Sequence, residues 1–232
     1  MTRRKSTRRG VLARTAGVLA FVALLPAVAA AADAKTIAAS GNDAGAPACS
    51  ACHGDFGEGR PEAGYPRLSG LDAHYLLHQL NDLSDGTRTS EVMHPIAKSL
   101  TAGEREAMAS YYAALPAAKA PGEKKPDDKV LAAGALLAQR GEWGKGLPAC
   151  GQCHGPNGLG VGTAFPKLAG QSAQYIVAQL QAWKAGQRGN DPMHLMTGVA
   201  AKLDEEQMSA VAAYYANLKT EAAAPQTEGR KP

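Results

Sequence analysis

"ACSACHG" at residues 48–54 returns almost unchanged as "ACGQCHG" at residues 149–155, and these two heptads hold every cysteine in the 232-residue chain. Each places Cys, two fillers, Cys and His in a row. Two thiols three positions apart, with an imidazole directly behind the second, suit covalent attachment of a haem by two thioether bonds through Cys49 and Cys52, and again through Cys150 and Cys153. His53 and His154 would then each turn a ring nitrogen onto an iron. Disulfides within such short loops would be strained redox bonds, and two CxxC pairs could instead share a zinc ion. However, 97 residues separate Cys52 from Cys150, and each pair carries its own histidine inside its own copy of a repeat. That favours two haem c groups.

The repeat extends well beyond the cysteines. "CHGDFGEGRPEAGYPRLSGLDAHYLLHQL" matches "CHGPNGLGVGTAFPKLAGQSAQYIVAQL", and "MHPIAKSLTAGEREAMASYYAAL" matches "MTGVAAKLDEEQMSAVAAYYANL". A period near 100 residues marks two similar domains. Tyr75, Leu76, Leu80 and Leu83 share one face at helical spacing, as do Tyr175, Ile176, Leu180 and Trp183. Gly86 and Gly186 follow as stop signals, and final helices are expected after Thr101 and near Asp204. No alternating run is long enough for a convincing strand. The fold class expected is therefore all-α, two tandem domains over residues 35–115 and 130–218, each wrapped around one haem. The charged, proline-bearing stretch 116–129 reads as a linker and 219–232 as a flexible tail. Ahead of the second motif "DDKVLAAGALLAQRG" is a good helix, whereas its first-copy counterpart "KTIAASGNDAGAPA" is expected to be short.

Residues 1–34 have the basic, apolar and small-residue segments of a cleavable export signal, which places the protein in the periplasm. This leader holds six of the 25 basic residues and one of the 21 acidic ones, leaving 19 against 20 in the remainder. The basic isoelectric point is thus a property of the leader and gives no support for nucleic-acid binding. Loose attachment to a membrane, through the leader or a partner, stays open. From Cys49 to Leu115 five basic residues face nine acidic ones, while Cys150 to Leu218 has four of each, so the two centres are expected to differ in potential.

Together the paired CxxCH motifs, the Pro-x-Leu segments, the MxxxAxxL segments and the Tyr-Tyr helix ends resemble the dihaem cytochromes c4, tandem class I cytochrome c domains. The resemblance implies an axial methionine on each iron. Met93 lies where that ligand is carried, with ordinary packing or ligation by His94 as the alternatives. In the second copy, counting back from the paired tyrosines selects Met196, since Met196 and Met93 each stand 18 residues before the first tyrosine, and the gap-free MxxxAxxL match favours it too; counting forward from Gly186 selects Met193, the alternative. The family also implies that the Pro66 and Pro166 carbonyls accept a hydrogen bond from the proximal imidazoles, and that Leu68 and Leu168 press on the haem. Arg88 and Arg188 sit at matching positions, suited to a haem propionate or left as solvated charge. The function implied is one-electron transfer from a quinol-oxidising complex to a terminal oxidase, without enzymatic activity. The alternative is an electron-accepting subunit of a periplasmic dehydrogenase, or an oxidoreductase with one labile ligand.

Overall fold

A computed structural model describes residues 27–118 and 126–220, with side chains from Ala34 onward. Most of the export signal, the middle of the linker and the end of the tail lie outside the described residues. Those described form an all-α architecture with no strand. Five helices make the first domain: α1 (Ala27–Ser40), α2 (Ser50–His53), α3 (Ala73–Asp85), α4 (Met93–Lys98) and α5 (Ala102–Ala114). The second repeats them as α6 (Asp128–Arg140), α7 (Cys150–His154), α8 (Ala173–Lys184), α9 (Leu195–Ala200) and α10 (Glu205–Asn217).

Local chemistry sets the helix ends. Asp72 and Ser172 cap α3 and α8 by accepting the N–H of Tyr75 and of Tyr175. Thr101 and Asp204 begin α5 and α10 with reciprocal capping boxes, closed by Glu104 and Gln207. Such a box satisfies two of the backbone donors that a helix start leaves unpaired. Gly86, at φ 88°, ends α3 in the left-handed conformation expected of a glycine stop.

Two expectations need correction. The first helix is not short, because α1 runs 14 residues and buries Ala34, Ile37 and Ala38 against α5. Its alanine-rich start belongs to the segment read as leader, and alanine is the strongest helix former. The helix expected over DDKVLAAGALLAQRG is found as α6, which begins at Asp128 and so takes the last two residues of the stretch read as linker, since Asp127 caps it and Asp128 suits the positive helix start.

Each domain has its own core. In the first, Leu76, Leu100, Met108 and Tyr112 gather with the buried face of α1; in the second, Leu147, Ile176, Leu180, Met208, Val211 and Tyr215 do the same. Met108 and Met208 are therefore packing residues. Close approach in the second domain needs Gly134, whose added Cβ would stand 2.1 Å from the Ala210 carbonyl oxygen. The domains meet about an approximate two-fold relation, since Arg88 and Arg188, equivalent residues, pair as one antiparallel backbone bridge.

Two candidate metal centres

The CxxCH segments form single helical turns: α7 is the whole second motif, and α2 carries the first with Cys49 as its N-cap, so both thiols and the imidazole of each motif sit together. No cysteine is disulfide-bonded, which removes the strained-loop alternative. Among the described residues no group of three or more His, Cys, Asp or Glu is placed to hold a metal ion.

Both imidazoles are buried, at 6% and 7% exposure. His53 Nδ1 lies 2.9 Å from the Pro66 carbonyl oxygen, and His154 Nδ1 lies 2.8 Å from that of Pro166. A carbonyl can only accept, so Nδ1 carries the proton in both rings. That leaves Nε2 as the lone-pair nitrogen, the tautomer a metal ligand requires. Burial pushes both imidazoles below their ordinary pKa, against the opposing pull of the proline carbonyls, and so favours the neutral ring. The turn after each histidine is fastened symmetrically. Gly59 N–H donates to His53 O at 2.7 Å and Gly160 N–H to His154 O at 2.8 Å. Leu68 and Leu168 donate to the Gly57 and Gly158 carbonyls at 2.8 Å, and both leucine side chains border the cores.

The first cysteine of each motif is half-buried beside an aromatic hydroxyl. Desolvation raises the Cys49 and Cys150 thiols above their usual pKa, with hydrogen bonding to Tyr112 and Tyr215 pulling the other way. Both tyrosines are in turn raised by burial. Tyr65 and Phe165 flank the two imidazoles, with ring centroids 6.2 Å away in each domain.

The methionines separate by environment. Met93 is half-buried and opens α4. The neighbouring His94 spends Nδ1 on the Leu83 carbonyl at 2.7 Å. In the second domain Met196 sits inside α9 against the core, whereas Met193 is 83% exposed and left-handed at φ 61°.

The arginines correct a further expectation. Neither side chain is a freely solvated charge: Arg188 is 5% exposed, and both reach across the seam between domains. Arg88 donates to Gln79 Oε1 at 3.0 Å in its own domain, and to Tyr175 Oη and Gln179 Oε1, at 2.8 and 2.9 Å, in the other. Arg188 donates to Gln179 Oε1 at 2.7 Å and crosses to Gln79 Oε1 at 2.8 Å, while its guanidinium stacks on Trp183. His74 and His78 stay exposed, with His78 Nε2 3.3 Å from Asp82. The seam residues Gln79, Gln179, Asn190 and Gln171 were not anticipated from sequence, because a polar residue on a half-buried helix face gives no signal until its partner domain is placed.

Neutral imidazole nitrogen, paired thiols and thioether sulfur form a donor set suited to iron in a covalently attached haem. Such a chain is a c-type cytochrome with two centres. The family model for cytochrome c matches residues 132–219. The thiosulfate dehydrogenase electron acceptor of Thiomonas intermedia is 48% identical over 171 residues, 74% of this chain and 78% of that one. Cytochrome c4 of Pseudomonas aeruginosa is 35% identical over 182 residues, 78% of this chain and 88% of that one. The crystal structure of reduced cytochrome c4 from Pseudomonas stutzeri superposes with a TM-score of 0.71 at 32% identity, covering 82% of this chain and 98% of that one. The chain belongs to the dihaem cytochrome c4 family, carries two covalently bound haem c groups, and is an electron-transfer cytochrome.

Proposed function

We propose that this cytochrome is the electron acceptor of a periplasmic dehydrogenase, in the manner of its thiosulfate dehydrogenase acceptor relatives. The observation that carries this reading is the 48% identity to such an acceptor, set beside 35% to a cytochrome c4. The general respiratory role, between a quinol-oxidising complex and a terminal oxidase, is the second reading and is favoured by the likeness to cytochrome c4 itself. The bound haem irons supply one-electron redox chemistry.

The chain's own residues fix how that chemistry is held. Cys49 and Cys52 anchor the first group, and Cys150 and Cys153 the second. His53 and His154 bind through Nε2, oriented by Pro66 and Pro166. Met93 and Met196 would add a thioether sulfur to each iron; Met193 is the poorer candidate because its side chain stands in solvent. Thioether sulfur favours the ferrous state and raises the potential, as an acceptor requires. Arg88 and Arg188 present two guanidinium groups whose seam partners are neutral oxygens, which suits them to propionate. The acidic first half and the neutral second half give the two centres unequal potentials and distinct docking faces. Residues 1–34 direct export to the periplasm. Among the described residues no helix is long and apolar enough to cross a membrane.

Stopped-flow mixing of the oxidised cytochrome with a purified thiosulfate dehydrogenase and thiosulfate tests the assignment. Reduction of both haems at enzyme turnover rates supports it. Reduction by a quinol-oxidising complex alone, with the dehydrogenase inert, replaces it with the second reading.

A further inference from the structure

The peptide unit joining Pro66 to Arg67 is held at both of its polar ends. Its carbonyl accepts from His53 Nδ1 at 2.9 Å, and its N–H, on Arg67, donates to Gln171 Oε1 at 2.9 Å. Gln171 belongs to the second domain, 4% exposed, just ahead of the Ser172 cap of α8. Its Nε2 returns a hydrogen bond to the Arg67 carbonyl at 2.9 Å, and its Oε1 also accepts from the Ser172 N–H at 2.9 Å. Two backbone donors on the oxygen and a carbonyl on the nitrogen leave this side-chain amide one orientation. The Arg67 side chain, fully buried, fastens the same place by donating to Ser69 O at 2.8 Å and to Ala169 O, in the second domain, at 2.7 Å.

A peptide whose N–H is engaged is polarised and becomes a stronger acceptor at its carbonyl. A stronger acceptor on Nδ1 makes the imidazole a better donor through Nε2, which stabilises ferric iron. We propose that Gln171 is a positioning residue for the first iron centre, acting from the other domain through the Pro66–Arg67 peptide. Domain docking thereby sets part of the first centre's potential. The equivalent position in the first copy is Leu71, which has no polar atom to offer in return, so Gln171 acts in one direction only. The inference rests on His53 being an iron ligand. Failure of that reading would show separately, as a missing histidine-ligated centre in the wild-type spectrum.

The test uses the full-length holoprotein and Gln171→Met, with both midpoint potentials measured by spectroelectrochemistry and assigned through the axial-methionine variants. The expected result is a rise confined to the first centre, about threefold in its ferric/ferrous equilibrium, or about 28 mV for a one-electron couple. Gln174→Ala, an exposed change in the first turn of the same helix, leaves that midpoint in place. An unmoved first centre in Gln171→Met, an equal shift of both centres, or the same shift in Gln174→Ala overturns the proposal. Should Gln171→Met fail to accumulate, hydrogen exchange in the reduced wild-type protein decides. Strong protection of the Arg67 amide supports the relay, and exchange within minutes refutes it.

Discussion

Replacing Gly158 by alanine should cost the second domain more stability than an ordinary surface change, and the structure sets the scale. Gly158 is left-handed at φ 69°, and an added Cβ would lie 2.5 Å from Tyr215 Cε1. Holding a non-glycine residue in that conformation costs about 1–2 kcal/mol. The Tyr215 ring is 2% exposed within the core, so it has little room to withdraw, and overpacking of this kind adds about 1–3 kcal/mol. Together they give about 2–5 kcal/mol. The Gly158 carbonyl also receives the N–H groups of Leu168 and Ala169 at 2.8 and 3.0 Å, so displacement loosens the loop that presents Pro166 to His154. Urea unfolding of the holoprotein, followed by far-ultraviolet circular dichroism and by haem absorbance, measures the loss. Gly103→Ala is the control, because its Cβ meets nothing within 4 Å and its backbone is helical. That substitution should be neutral or stabilise by about 0.5–1 kcal/mol. A Gly158→Ala loss under about 1 kcal/mol would refute the packing argument.

Met196→Leu should abolish the near-infrared sulfur-to-iron band of one ferric centre, whereas Met193→Leu should leave both bands, as read by ferric absorption spectra. Thr101→Ala should destabilise the first domain by about 1 kcal/mol through loss of the α5 cap, measured by chemical denaturation. Hydrogen bonds from the Thr101 backbone and from Asn42 hold Glu104 below its ordinary pKa of 4.5. Its folded pKa being depressed, the stability it contributes is present above pH 4.5 and is lost as pH falls through the folded value. Glu104→Gln should therefore show a shallower decline in urea midpoint below pH 4.5 than the wild type.

Much of the fold was legible because its signals are local. The duplicated CxxCH turns, the capping residues Thr101 and Asp204, and the glycine stop at Gly86 act within a few residues of themselves. The pairing of His53 with Pro66, across 13 residues, was readable only through family resemblance, since proline in a loop is equally a stiffener. Met196 is preferred to Met193 on the gap-free match of the two MxxxAxxL segments, while the left-handed backbone of residues 193 and 194 and the exposure of Met193 have no signal in the sequence. The long α1 was missed because alanine-rich sequence serves an export signal and a helix alike. The seam was invisible for another reason. Gln79 and Gln179 look like ordinary solvated residues until the opposite domain brings a guanidinium to each.

Position 88 stands against position 188, the same place in the duplicated unit, so each half is part of the other's environment. After such a duplication the two copies cannot drift independently there: a change fixed in one arginine alters the surroundings that its twin must tolerate. Compensating substitutions across that pair, traced through descendants of the duplication, would be the historical imprint of the bridge.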